Sequence, residues 1–181
     1  MSITEFAERW IISGSVDTDS RPRAFASIVW GGLTIGIFDI VEISFLVWLV
    51  RDTPPNRVFQ SVASGLLGDA SFRGGWRTAA LGLALHFLIA FIWASIFYLA
   101  SLRLPVLYQW AVPSGMVFGL FIYFTMNYVV IPLSAIGRFP RFNLLFFLNG
   151  IIGHALLIGL PLALLVRRSA KIEKQRIHSA L

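Results

Sequence analysis

The sequence predicts an all-α integral membrane protein, a four-helix bundle with a short interfacial helix between the first and second spans. Of its 181 residues, 57% are hydrophobic and 13% are charged, whereas about 25% of the residues in a soluble domain are charged. A soluble domain of this size could not hide so much apolar surface, because small proteins bury only about 60 to 70% of their unfolded surface. In addition, four apolar segments reach the roughly 20 residues that a membrane-spanning helix needs.

The four spans are justified by continuous apolar sequence with basic and aromatic residues near their ends, where such side chains meet the membrane interface. They cover residues 24–50, 78–100, 106–133 and 143–166. Residues 1–23 contain four acidic side chains and no continuous apolar run, so they do not resemble a cleavable signal peptide. We therefore predict that residues 1–23 form a cytoplasmic N-terminal segment and that the first span is its own signal anchor.

The interfacial helix is predicted over residues 54–67. Thr53-Pro54-Pro55 is a helix-start signal and Gly68 is a stop signal. Between them, one apolar stripe recurs at helical spacing, formed by Val58, Phe59, Val62, Leu66 and Leu67. The remaining connections, 101–105 and 134–142, are short, which makes neighbouring spans antiparallel.

The distribution of Lys and Arg predicts that both termini are cytoplasmic, because cytoplasmic loops carry an excess of these residues. The basic tail, residues 167–181, decides the direction. The terminal side holds Arg9, Arg21, Arg23, Arg103, Arg167, Arg168, Lys171, Lys174 and Arg176, and the other side holds Arg51, Arg57, Arg73, Arg77, Arg138 and Arg141. We read this basic excess as topology-setting charge in contact with membrane lipids, not as a nucleic-acid surface, since no nucleic-acid-binding motif is present.

Several classes of site are excluded or disfavoured by the sequence. Because the chain has no cysteine, it cannot form disulfides, thiolate-ligated zinc sites, iron–sulfur clusters or c-type haem attachments. No nucleophile elbow, zinc-protease motif, phosphate-binding loop or dinucleotide fingerprint occurs. We therefore predict a protein that is not an enzyme and has no assigned cofactor, with a b-type haem or a metal ion as an open alternative.

Polar side chains inside the predicted spans are the main candidates for function. A carboxyl group near the bilayer centre costs about 2.5 to 3.5 kcal/mol on insertion scales, and ionisable residues there are functional candidates by default. Counting about 1.5 Å per residue along antiparallel helices puts the set at similar depths, near the midplane or in the half away from the termini. This predicted intramembrane cluster comprises Asp39, Glu42, His86, Asn127, Asn149 and His154. A purely structural role, as interhelical hydrogen bonds, is the alternative, favoured for the two asparagines.

Small residues predict where the helices approach each other. Gly32 and Gly36 are four residues apart on the first span, and Gly115 and Gly119 repeat that spacing on the third. Such pairs let helix backbones pack closely. We expect them to form contacts within the bundle.

Short motifs in the second half of the chain resemble the YagU-like family of bacterial inner-membrane proteins. The matching sequences are Leu85 to Phe91 running on to Phe97-Tyr98, and Ile152-Gly153-His154-Ala155-Leu156 followed by Val166-Arg167-Arg168. The resemblance implies a multi-pass protein of the bacterial cytoplasmic membrane and matches His86 and His154 to the two histidines of the family. It supplies no reaction, because the activity of that family is unassigned.

Three functions fit these features. The first is handling of protons, a cation or a small solute through Asp39, Glu42, His86 and His154. The second is an assembly or scaffold subunit, either a homo-oligomer or part of a larger membrane complex, whose polar residues only hold the bundle together. The third is a redox subunit in which His86 and His154 ligate a b-type haem from opposite helices. We favour the first because two carboxyl groups beside two histidines suit a proton relay or a hard cation.

Overall fold

A computed structural model describes residue 23 and residues 25–179, and this part of the chain is helical without any strand. The predicted all-α class is therefore confirmed. The helices are α1 (Ala26–Arg51), α2 (Pro55–Leu67), α3 (Gly75–Arg103), α4 (Ala111–Leu133) and α5 (Leu144–Ile172, continuing as helix to Ser179). Of the described helices, α1, α3, α4 and α5 are long and apolar enough to cross a membrane.

The helix ends differ in places from the predicted spans. The second span begins earlier and ends later than residues 78–100, and the fourth continues past residue 166 into the basic tail. A helix continues through polar residues at the end of a span unless a helix-breaking residue such as proline or glycine follows. Hydropathy therefore gives the limits of the membrane segment and not those of the helix. The third span starts late because Trp110 interrupts the helical backbone after a single turn, Val106–Gln109. Of the predicted N-terminal segment, residues 1–22 lie outside the described part.

The core and the exterior of the bundle are both apolar. Phe97 of α3 and Leu162 of α5 are completely buried, and Phe97 packs edge-on against Phe118 of α4. Large side chains such as Val41, Leu88 and others on all four long helices point outward. An apolar exterior around helices that satisfy their own backbone hydrogen bonds is what a hydrocarbon environment requires.

Both glycine pairs lie at helix contacts. Gly32 and Gly36 of α1 face the rings of Phe91 and Phe87 of α3, and Gly115 of α4 faces the backbone of α5. At Gly119, an added Cβ would overlap the carbonyl oxygen of His154. The small residues thus bring α1 against α3 and α4 against α5 within the bundle.

Helix α2 is anchored at two places. Gln60, which is only 2% exposed, donates from Nε2 to the Gly75 carbonyl oxygen at 2.9 Å. The carbonyl of Phe59 fits against Gly82 of α3, where any side chain would collide with it. At the other end of α2, the Ala135 amide donates to the Gly65 carbonyl oxygen at 2.9 Å. These contacts hold α2 against α3 and against the α4–α5 connection.

The two ends of the bundle can be distinguished by these contacts. The Ser27 and Ser169 hydroxyls are hydrogen-bonded at 2.9 Å, which places the start of α1 beside the end of α5. We call this end the terminal face. Helix α2, the 3-10 turn Gly68–Arg73 that follows it and the α4–α5 connection lie at the opposite end, which we call the α2 face.

Candidate functional site

A cavity of about 170 Å³ lies inside the bundle, and its walls come from α2 and all four long helices. Three ionisable side chains on three different helices reach it, Asp39 of α1, His86 of α3 and His154 of α5. The other walls are almost entirely apolar and comprise Ile35, Gly36, Val62, Ile89, Ala90, Trp93, Ile122, Met126 and Ile158. The space is sufficient for several water molecules or a small solute.

His86 is held by a backbone carbonyl of the neighbouring helix. Its Nε2 lies 2.8 Å from the Gly36 carbonyl oxygen, and because a carbonyl only accepts hydrogen bonds, Nε2 must carry a hydrogen and donate it. The other ring nitrogen, Nδ1, lies 3.9 Å from Oδ2 of Asp39. This distance is too long for a direct hydrogen bond but suits an ion pair or a bridging water. Nδ1 is therefore the nitrogen at which His86 can gain or lose a proton, and it faces a carboxyl group.

The spacing of residues on α1 explains this arrangement. Gly36 and Asp39 are three residues apart and thus on the same helix face. Since Gly36 has no side chain, Phe87 and Ala90 of α3 pack directly on it, and the imidazole of His86 reaches its carbonyl. Asp39 then follows one turn later, beside the same ring.

His154 enters the cavity from α5. Its ring makes an edge-to-face contact with Tyr123 of α4, with centroids 5.2 Å apart, and a hydrogen bond to the Gly150 carbonyl one turn earlier. Asp39 is near enough to interact with His154 electrostatically. The Asp39 carboxyl group is thus the common neighbour of the two cavity histidines.

Glu42 and Asn149 form a separate pair. The Glu42 carboxyl group hydrogen-bonds the Asn149 side chain and lies against Gly153, so it connects α1 with α5. Glu42 lies one turn beyond Asp39 and does not line the cavity. This pair fits the structural role that the sequence analysis allowed for Asn149.

Asn127 belongs neither to the cavity group nor to the Glu42–Asn149 pair. Its Nδ2 donates to the Tyr123 carbonyl oxygen of its own helix at 2.9 Å. Asparagine can satisfy its amide in this way on the preceding turn, and the helix is locally widened into a π-helical segment, Met126–Val130. The six predicted residues therefore divide into the cavity group Asp39, His86 and His154, the Glu42–Asn149 pair, and Asn127.

Two features of the site were not predicted as parts of it. Val62 of α2 forms one wall of the cavity, although the sequence indicated only an interfacial helix. The available signal was Gly82, one turn before His86, which is the point where α2 approaches. In addition, Met126 and His154 each begin a π-helical segment and each line the cavity; such segments occur frequently at functional sites.

The arrangement gives little support to metal or haem binding. Among the side chains that the structure describes, no group of three or more from His, Cys, Asp or Glu is placed to hold a metal ion. An iron between His86 and His154 would need both rings to face it, but Nδ1 of His86 faces Asp39 and Nε2 is bonded to Gly36.

Comparison with known proteins adds no further identification. No family model, no curated protein and no solved structure matches this chain. The resemblance to the YagU-like family stays a prediction.

Proposed function

We propose that this chain is a multi-pass membrane protein that moves protons through the cavity group Asp39, His86 and His154. The observation that carries the proposal is the His86–Asp39 pair. Because Nε2 of His86 is committed to Gly36, proton uptake and release occur at Nδ1, which faces the carboxyl group across 3.9 Å. Histidine is a common proton shuttle in proteins because either ring nitrogen can give or accept a proton.

The cavity suits a proton better than a larger ion. A metal cation would require several oxygen or nitrogen ligands, whereas these walls offer only three ionisable groups among apolar side chains. A proton needs one donor and one acceptor, with water between them where the gap is too long. In this proposal the proton passes between His86 and Asp39. Asp39 can also exchange a proton with His154, the second histidine of the cavity.

We also propose the bacterial cytoplasmic membrane as its location, with both termini in the cytoplasm. The excess of Lys and Arg in the segments that the sequence analysis assigns to the side of the two termini supports this orientation. The bacterial assignment rests on the resemblance described above. An assembly or scaffold role is the alternative if no proton movement is found.

Proton flux into proteoliposomes tests the proposal. The purified chain is reconstituted with a pH-sensitive dye inside, and a potassium diffusion potential drives protons inward. We expect flux above that of protein-free liposomes, and we expect Asp39→Asn and His86→Gln to reduce it to the protein-free level. These substitutions keep the size of the side chain but remove its ability to exchange a proton.

Glu42→Gln is the matched control. It also removes an intramembrane carboxyl group, but at a residue that joins α1 to α5 through Asn149 and lies outside the cavity lining. Its flux should stay near the starting level, and its amide should keep a hydrogen bond to Asn149. The proposal fails if the starting protein shows no flux, or if Glu42→Gln abolishes flux while Asp39→Asn does not.

A further inference from the structure

A second recess lies on the α2 face and has a different chemical character. It has a volume of about 760 Å³ and is bounded by α2, the 3-10 turn after it and the α4–α5 connection. Three arginines line it, Arg51 at the end of α1 and Arg138 and Arg141 in the connection. We call this recess the arginine cleft. One acidic residue, Asp69, also lines it.

The positive charges of the three arginines are not neutralised by ion pairs with any described residue. Over the part of the chain that the structure describes, none of them forms a salt bridge, and all three are exposed. Three like charges around one recess repel each other, and one aspartate does not balance them. The cleft therefore has an excess of positive charge that a bound anion would compensate.

Two contacts hold the walls of the cleft in place. The guanidinium carbon of Arg51 lies 4.4 Å from the centroid of the Phe146 ring, which holds its side chain over the start of α5. Opposite it, the connection is tied to α2 by the Ala135 hydrogen bond to Gly65. The connection then turns at Gly137, whose φ of 63° suits glycine. The turn leads directly to Arg138.

The rim of the cleft is apolar where the spans end. Phe139 lines the cleft and is 63% exposed, and the neighbouring Phe142 and Leu133 are also exposed. Aromatic and aliphatic side chains at this level suit contact with lipid. A charged group with an apolar attachment would match both the arginines and this rim.

We propose that the arginine cleft binds a phosphate group. Guanidinium groups form paired hydrogen bonds to phosphate oxygens, with a planar geometry that lysine lacks. The group can come from an anionic phospholipid or from a free phosphate in solution. The cleft and the cavity lie on different sides of α2, since Val62 lines the cavity whereas Ser61 and Ser64 line the cleft. A test of phosphate binding at the cleft is therefore independent of proton movement through the cavity.

Two probes distinguish the sources of the phosphate group. The purified chain in a neutral detergent is titrated with inorganic phosphate against chloride at equal ionic strength, by calorimetry. In parallel, native mass spectrometry measures retention of added phosphatidylglycerol. Binding of inorganic phosphate indicates a soluble ligand, whereas retention of phosphatidylglycerol without phosphate binding indicates a lipid headgroup, and either result supports the site.

The double variant Arg138→Gln/Arg141→Gln tests the location. Each lost charge-assisted contact should weaken binding by about ten-fold, so the double variant should bind about 100-fold more weakly. Arg73→Gln/Arg77→Gln is the matched control, because it removes the same charge from the α2 face outside the cleft lining. Arg138→Lys/Arg141→Lys keeps the charge but loses the paired geometry, and should bind with intermediate strength.

Three results would overturn the inference. The first is that neither probe binds the starting protein. The second is that Arg138→Gln/Arg141→Gln binds as well as the starting protein. The third is that the control variant loses as much affinity as the cleft variant, which would show diffuse attraction to the whole α2 face.

Discussion

Gly119 brings α4 so close to α5 that the His154 carbonyl oxygen occupies the place of a side chain. We therefore expect Gly119→Ala to push the two helices apart and to displace His154 from the cavity. Overpacking of this kind costs about 1 to 3 kcal/mol, which should lower the midpoint of thermal unfolding in detergent.

Val117→Ile is the control for Gly119→Ala. It adds one methylene two residues away, at a side chain that is 67% exposed on the outer surface, so the midpoint should hardly change. Equal midpoints for Gly119→Ala and the starting protein would show that this helix contact is loose.

The cost of ionisable groups in lipid was enough to select Asp39, His86 and His154 as candidates from the sequence. It could not show which of the six candidates share one cavity. Depth follows from counting residues along a span, but the direction of a side chain around the helix axis depends on the neighbouring helices. Glu42 and Asn127 have suitable depths, yet one faces Asn149 and the other bonds its own helix.

At the scale of elements, α2 depends on Gln60. This side chain is buried and donates to the Gly75 carbonyl oxygen. Gln60→Ala would remove this hydrogen bond between α2 and α3, at a cost of about 0.5 to 1.5 kcal/mol, while the Gly75 carbonyl oxygen would still accept from the Thr78 hydroxyl at 3.1 Å. We expect faster amide hydrogen exchange throughout Pro55–Leu67, measured by mass spectrometry, with little change in α5.

Ser61→Ala provides the comparison for Gln60→Ala. The Ser61 hydroxyl donates only to the Val58 carbonyl of its own helix, so its loss should leave the packing of α2 on α3 intact. If both variants exchanged at the same rate as the starting protein, Gln60 would not anchor α2.

The bounds of α2 were predictable because their signals are local. The prolines at its start and Gly68 at its end give nearly the observed limits, Pro55–Leu67. Its role as a wall of the cavity was not predictable in this way. That role depends on Gly82 of another helix, which accommodates the Phe59 carbonyl.

At the scale of the whole molecule, the four-span arrangement can be tested by labelling single cysteines, because the chain has none of its own. Ala70→Cys lies on the α2 face and Lys171→Cys near the end of α5, and both positions are exposed. With cytoplasmic termini, an impermeant maleimide added to intact bacterial cells should label Ala70→Cys. Lys171→Cys should be labelled only after the membrane is permeabilised.

The opposite labelling pattern would reverse the proposed orientation. Labelling of both positions from the same side would contradict the three crossings, α3, α4 and α5, that separate Ala70 from Lys171. The fold class itself was predictable because apolar length and low charge leave few alternatives. The positions of the helix ends were not, since α3 and α5 continue beyond their apolar segments.

The length of α5 gives the molecule a mechanical property. Its 29 residues from Leu144 to Ile172 extend about 44 Å, more than the roughly 30 Å of hydrocarbon in a bilayer, and the helix continues to Ser179. His154 and the basic residues Arg167, Arg168 and Lys171 therefore belong to one continuous helix. A tilt or rotation of α5 at the cavity would therefore displace this charged end, which lies 13 to 17 residues beyond His154, or about 20 to 26 Å along the helix. A protein or lipid surface in contact with that end would sense events at the cavity through a movement of the helix.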